Sequence, residues 1–358
     1  MKTGDQLLAS IARFRTSFWA KHTPADRPPV GVAPDGCWLP VNYLREPFEG
    51  HVVRPDDVTP ARVMTDYEFG FAGRDVVRDD FIPYAAPWRA IPWLEACCGC
   101  RALYAEGSLR PEHFVDSVAD LAGLPIPAGN RWFATLRRET ERLEAWAPAD
   151  CWVSASILRG PSDVLAGLRG LDQFYLDLCD DPALVKRTAQ RVNHLLLDAL
   201  AMHFEVVPPK LGGYAHIFGY WAPGPTYVIQ EDALGMASPA AYRELFWEAN
   251  AEVVERFGEH IFFHVHSTGF DHWRDVLDIP GLAGMELTVE SNGPPLADLV
   301  PVLREILERG RLILCIDHGF GALPRALRQL PHEGLYLVVS DRFIATDREF
   351  LAFVDANW

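Results

Sequence analysis

The chain has 358 residues, enough for two or three domains, although α/β barrels of this size commonly form one. Lys and Arg number 33 against 49 Asp and Glu, a net charge of -16, and no basic patch offsets it, so nucleic acid and anionic membrane surfaces are not expected partners. No run nears the ~18 apolar residues of a membrane span, and seven irregularly spaced cysteines argue against a disulfide framework and for a reducing, cytoplasmic setting.

The opening MKTGDQLLASIARF reads as an amphipathic helix, not a signal peptide, and PPVGVAP from Pro28 reads as a strand. From there to about residue 150 the sequence is irregular and rich in Pro, Arg and Asp, with a hairpin around RALYAEGSL. Cys97, Cys98 and Cys100 have no downstream pair to complete a zinc site, so they read as buried thiols at a helix end. Arg137, Arg138 and Arg142 alternate with Glu139, Glu141 and Glu144 as a solvated helix face.

The second half is more regular. WVSASIL from Trp152 is a strand, and Pro161 opens a helix carrying Val164, Leu165, Leu168, Leu171 and Leu178. Asp181 and Pro182 start another, with Val185, Val192, Leu196 and Leu200 inward. LGGYAH reads as the next strand, followed by a long aromatic loop, GYWAPGPTYVIQEDALGMA, of the kind that binds substrate or closes a site. A helix runs from Ser238 to Gly258, and strands IFFHVH, LAGMEL, LILCIDH and LYLVVSDR alternate with helices to the C-terminus.

That alternation, six strand–helix units after about residue 150 and one or two strands before it, predicts an α/β fold. The expected form is a (β/α)8 TIM barrel, one domain with an elaborated N-terminal portion over about 1–150. Strand C-termini of such a barrel meet at one mouth, and titratable residues sit at those ends. His264 and His266, two apart on a strand, face the same way and can approach one metal ion, with Asp341 as a further ligand. Glu286 is a third ligand or general base, or a salt-bridged structural carboxylate. His216, Asp317 and His318 are the other expected proton-handling groups, although adjacent Asp317 and His318 face opposite ways. Tyr214, Tyr220 and Trp221 would stack on a flat or apolar substrate, or simply pack beneath the loop. Arg342 would hold a substrate carboxylate or pair with Asp341, and Cys315 is a ligand or a core thiol.

The blocks GPSDVLAGLRGLDQFYLDLCDDPALVKRTAQRV, ASPAAYRELFWEANAEVV, FFHVHSTGF and IPGLAGMEL, in that order and with ADRPPVGV near the start, resemble the uroporphyrinogen decarboxylase superfamily over about two-thirds of the chain. That resemblance implies a (β/α)8 barrel, a small-molecule substrate and a homodimer. From the superfamily's corrinoid methyltransferases it further implies zinc and a corrinoid carried by a partner protein. Two departures shape the expectation. The place of the decarboxylase's arginine-rich segment reads APDGCWLPVNYL, with no arginine before Arg45 to pair a porphyrinogen's carboxylates. The His-x-Cys of the methyltransferases is His264-Val265-His266 here, and Ser340 or Asp341 stands near their second cysteine's place. Metal-assisted methyl transfer with a corrinoid partner is the leading expectation. A metal-free decarboxylase, a metal-dependent hydrolase and a non-catalytic ligand-binding barrel are the alternatives.

Overall fold

The computed structural model describes residues 2–24, 26–34, 50–59, 61, 64, 65, 67, 68, 77–105, 108–123 and 130–358. The APDGCWLPVNYL segment, apart from Ala33 and Pro34, lies outside them. The strands in chain order are β1 (Val30–Ala33), β2 (Val52–Val53), β3 (Tyr84–Ala85), β4 (Arg101–Ala105), β5 (Ser108–Glu112), β6 (Trp152–Val153) and β7 (Tyr214–Ala215). They continue as β8 (Trp221–Ala222), β9 (Tyr227–Ile229), β10 (Ile261–His266), β11 (Gly284–Val289), β12 (Arg311–Ile316) and β13 (Leu335–Ser340).

Six of these form a parallel sheet in the order β1-β13-β12-β11-β10-β9. Its central strands read as nearly unbroken apolar runs because both of their faces are covered. Helix residues Leu299, Leu303 and Ile306 belong to the apolar cluster on one side, while Phe262, Ile313, Tyr336 and Val338 belong to a second cluster on the other. β3 and β6 form a separate two-stranded parallel sheet. Gly160 N–H donates to the Gln230 carbonyl at 2.7 Å beyond β9, and Asp80 N–H donates to the Val30 carbonyl at 2.7 Å on β1. The predicted hairpin is present as β4–β5, joined by β2 in a separate antiparallel sheet.

The N-terminal segment forms a plug packed against one face of the parallel sheet. Thr3 caps the helix Gly4–Arg13 with a capping box, and a π-helical turn, Phe14–Trp19, follows it. Phe14 packs edge-on to Tyr336, and Phe18 stacks on Phe262 at 5.9 Å. Both are fully buried, which stabilises the fold by about 1.5–3 kcal/mol each.

Three sequence expectations change. LGGYAH does not supply a strand of the parallel sheet: β7 pairs antiparallel with β8 in a hairpin, and Gly213 lets the two backbones approach, since a Cβ there would lie 2.2 Å from the Ala222 carbonyl. The parallel strand lies in the stretch read as loop, as β9, whose Tyr227, Val228 and Ile229 register against Ile261, Phe262 and Phe263. The helix from Pro161 breaks at Gly170 (φ 87°) into Pro161–Arg169 and Leu171–Asp180, and the helix from Ser238 breaks at Phe246. Among the described residues, no helix is long and apolar enough to cross a membrane.

Candidate functional site

Strand periodicity and strand order bring three ligating side chains together at the C-terminal edge of the sheet. His264 and His266 project to the same side of β10. Asp232 opens the 3-10 turn Asp232–Met236 directly after β9, the strand beside β10. The ligating atoms of the three lie within 4.8 Å of one another. His264 Nε2 and His266 Nε2 are 2.9 Å apart, and Asp232 Oδ1 is 3.5 Å from the first and 3.7 Å from the second.

The opposite nitrogen of each ring meets a carboxylate. Glu286 is the register partner of His264 on β11; it is fully buried, and its Oε2 contacts His264 Nδ1. Its Oε1 accepts from Thr288 Oγ1 at 2.9 Å. His266 Nδ1 lies 3.1 Å from Glu290 Oε1, and Glu290 is held by Thr268 Oγ1 at 2.6 Å and by its own N–H donating to Ser267 Oγ at 2.9 Å. The Glu286 hydrogen bond at His264 Nδ1, and the nearby Glu290 charge at His266 Nδ1, which makes no hydrogen bond, favour the Nδ1–H tautomers, which leave two Nε2 lone pairs facing each other. Lone pairs at that separation repel unless a cation, a proton or a metal ion, lies between them. Two imidazoles and a carboxylate form a donor set that suits zinc and similar ions, with a coordination position left for water or substrate.

The electrostatics agree with cation affinity. Burial opposes charge on His264, but Glu286 and then Asp232 outweigh it and raise its pKa to about 9. Lost solvent raises Asp232, yet His264 and then His266 bring it down to about 2. Deeper in, burial pushes Glu231 up to about 7 even though Ser162 N–H donates to it at 2.7 Å. Asp163, which accepts from Ala233 N–H at 2.7 Å, is raised by burial and by Asp232. Arg159 is paired with Glu95 at 2.8 Å.

Two cavities share Asp232, His264 and His266 in their walls. One, of about 390 Å³, is walled by Ile157, Ile217, Phe218, Ile316, Val338 and Val339, with Gln230, Thr288, Cys315, Asp317 and Ser340 completing it. The other, of about 330 Å³, is more polar, with Glu231, Thr268, His272 and Glu290 in its lining.

The remaining sequence candidates are dispersed. Asp317 lines the larger cavity and forms an ion pair with Arg342, whose guanidinium also donates to the Asp317 carbonyl at 2.9 Å. Arg342 is therefore engaged by protein rather than turned inward as a free cation. His318 is half exposed beside Asp317. Asp341 follows β13 and its N–H donates to the Ala33 carbonyl; the carboxylate that meets both imidazoles is Asp232. Glu286 sits behind His264, at Nδ1, rather than on the Nε2 side. His216 is buried one layer back, stacked on Phe218, and burial lowers its pKa to about 3, so it is a neutral packing group. Tyr214 packs against Phe204. Tyr220 and Trp221 are wholly buried; Tyr220 shares a hydrogen bond with Thr226, and the Trp221 carbonyl accepts from the Trp19 indole. These aromatics fix the β7–β8 hairpin to the N-terminal plug and do not line either cavity. Burial likewise raises Cys97 far above the usual thiol range, and Cys98 and Cys100 to about 12, leaving unreactive core thiols.

Asp232 and Glu290 escaped the sequence reading, although each left a signal. TYVIQED is an apolar run ending in acids, the same pattern as the other strands. Alternation along MELTVE puts Glu286, Thr288 and Glu290 on one face.

Fold and geometry define the class: an α/β protein with a candidate metal-binding triad at the C-terminal edge of a parallel sheet. Neither a protein-family model nor a curated protein matches the chain. Among solved structures it is similar to a methyltransferase from Methanosarcina mazei, at 13% identity and a TM-score of 0.63 over 98% of this chain and 97% of that one. That likeness is one of fold. The metallated form of the homocysteine methyltransferase MmuM from Escherichia coli aligns over 75% of this chain and 76% of that one at 14% identity, with a TM-score of 0.31 that is too low to bear on the site.

Proposed function

We propose that the chain is a uroporphyrinogen decarboxylase-like enzyme, one (β/α)8-barrel domain, that carries out metal-assisted methyl transfer on a small molecule. The observation that carries this reading is the convergence of Asp232, His264 and His266 with both imidazoles backed by carboxylates. Full-length fold likeness to a methyltransferase is consistent with it. The hydrogen bonds of Gly160 and Asp80 support closure of the parallel strands through β3 and β6 into a barrel.

In this reading Asp232, His264 and His266 hold a divalent ion, zinc being the best match to the donors. When bound, such an ion favours the thiolate form of a thiol at neutral pH, the competent nucleophile for accepting a methyl group. Glu286 and Glu290 fix ring orientation and tautomer. Ile217, Phe218, Ile316 and Val338 keep water from the nucleophile. Glu231, with a pKa of about 7, can hold or release a proton beside the triad at neutral pH. A corrinoid on a partner protein as the other methyl carrier, a homodimer and a cytoplasmic setting complete the proposal and rest on the sequence resemblance and cysteine usage.

One observation favours a second reading. A proton on His264, whose pKa is about 9, satisfies the facing nitrogens without a metal, and a metal-free decarboxylase would use that imidazolium. Metal analysis of untagged protein separates the two. Stoichiometric zinc that is lost in both His264→Ala and His266→Ala, with the fold intact, is the expected result. Folded, metal-free protein whose crystal structure shows both rings bonded only to protein groups would remove the metal-based reading.

A further inference from the structure

The two cavities that meet at the triad share a property that their sizes do not reveal. Among the described residues, neither is lined by a lysine or arginine. The nearby cations are committed elsewhere: Arg342 to Asp317, Arg159 to Glu95, and Arg89 to the Tyr84 hydroxyl at 2.8 Å. The larger cavity instead presents a wall of Ile, Val and Phe side chains, with Asp232 and the Arg342-paired Asp317 in its lining and Glu286 directly behind His264. Its volume of about 390 Å³ lies in the range of small-molecule sites. His264, the group in that wall able to carry positive charge, already lies against Glu286 and Asp232, so an anion entering there would lose hydration without gaining an uncommitted cationic partner.

We infer that this cavity takes a small molecule with an apolar body that is uncharged or cationic, and disfavours anions. The inference rests on reading the triad's surroundings as the enzyme's substrate site, and it adds the charge class of that substrate. The preference belongs to the metal-free protein, in which Asp232, Glu286 and Glu290 surround the two imidazoles, because a divalent ion on the triad would offer an anion its open coordination position.

An isosteric charge series tests the inference without any turnover. Benzylamine, benzyl alcohol and benzoate are titrated into purified, metal-free protein at pH 7, with binding read by calorimetry and by the shift in melting temperature. Benzylamine and benzyl alcohol are expected to bind and raise the melting temperature, and benzoate to bind at least about tenfold more weakly. Ser340→Lys, which puts a cation on the same wall, is expected to raise benzoate affinity by about tenfold while circular dichroism stays unchanged. Benzoate binding as tightly as benzylamine to the unaltered protein, or no binding by any of the three, overturns the inference. A protein that shows the charge order but holds no metal would remove the methyl-transfer reading and leave the charge class standing.

Discussion

Glu286→Gln removes the charge behind His264 while keeping shape. The carboxylate is fully buried, touches His264 Nδ1 with one oxygen and accepts from Thr288 with the other. A glutamine retains one acceptor, so either the imidazole or the threonine keeps its partner, and the threonine hydroxyl can rotate to accept from the new amide. The fold should survive. What is lost is the negative charge that raises the ligand's basicity and pins its tautomer, a change that typically costs 10–100-fold in metal affinity. At ~1.4 kcal/mol per tenfold this is about 1.4–2.8 kcal/mol. Complete burial places Glu286 toward the upper end. Glu290 supports His266 in the same way but its side chain is 32% exposed, so solvent screens it and Glu290→Gln should cost less. Zinc dissociation constants measured by competition with a chromophoric chelator at pH 7.5 give the comparison, with circular dichroism as the folding control. Affinity of Glu286→Gln within twofold of the unaltered protein, or a larger loss in Glu290→Gln, would refute the reasoning.

Glu139 is buried, neither of its oxygens has a hydrogen bond, and burial raises its pKa from 4.5 to about 7. The folded state therefore binds the extra proton between those values, and stability falls as pH rises through that window; Glu139→Gln should gain on the order of 2 kcal/mol relative to the unaltered protein between pH 5.5 and 8. Urea denaturation at the two pH values checks this, and a difference that does not change with pH would contradict it. Gly31→Ala places a Cβ 2.2 Å from the Tyr336 hydroxyl, which donates to the Phe218 and Gly219 carbonyls. Overpacking there should cost about 1–3 kcal/mol, read as a lower melting temperature. Uroporphyrinogen should yield no coproporphyrinogen in a direct assay, because the cavities lack lysine and arginine among their described lining residues.

Much of the architecture is local and was therefore legible. Long apolar strands such as IFFHVH and LILCIDH, covered on both faces, announce a parallel sheet through composition alone, and the two-residue period of a strand puts His264 and His266 side by side. Helix starts at Asp181 and Ser238 follow from side chains that satisfy their own first-turn N–H groups. Strand β9 was only faintly legible: TYVIQED carries the pattern, but three residues in a Gly- and Pro-rich stretch become a strand only through backbone bonds to β10, more than thirty positions later. Asp232 entered the site with it. The same holds for the aromatic stretch after Tyr214, where exposure or burial of Tyr220 and Trp221 depended on the N-terminal plug folding back over them. Residue type and spacing decide which side chains can do chemistry. Which of them meet is decided by strand order, because the partners of β10 lie on β9 and β11 and no local pattern carries that adjacency.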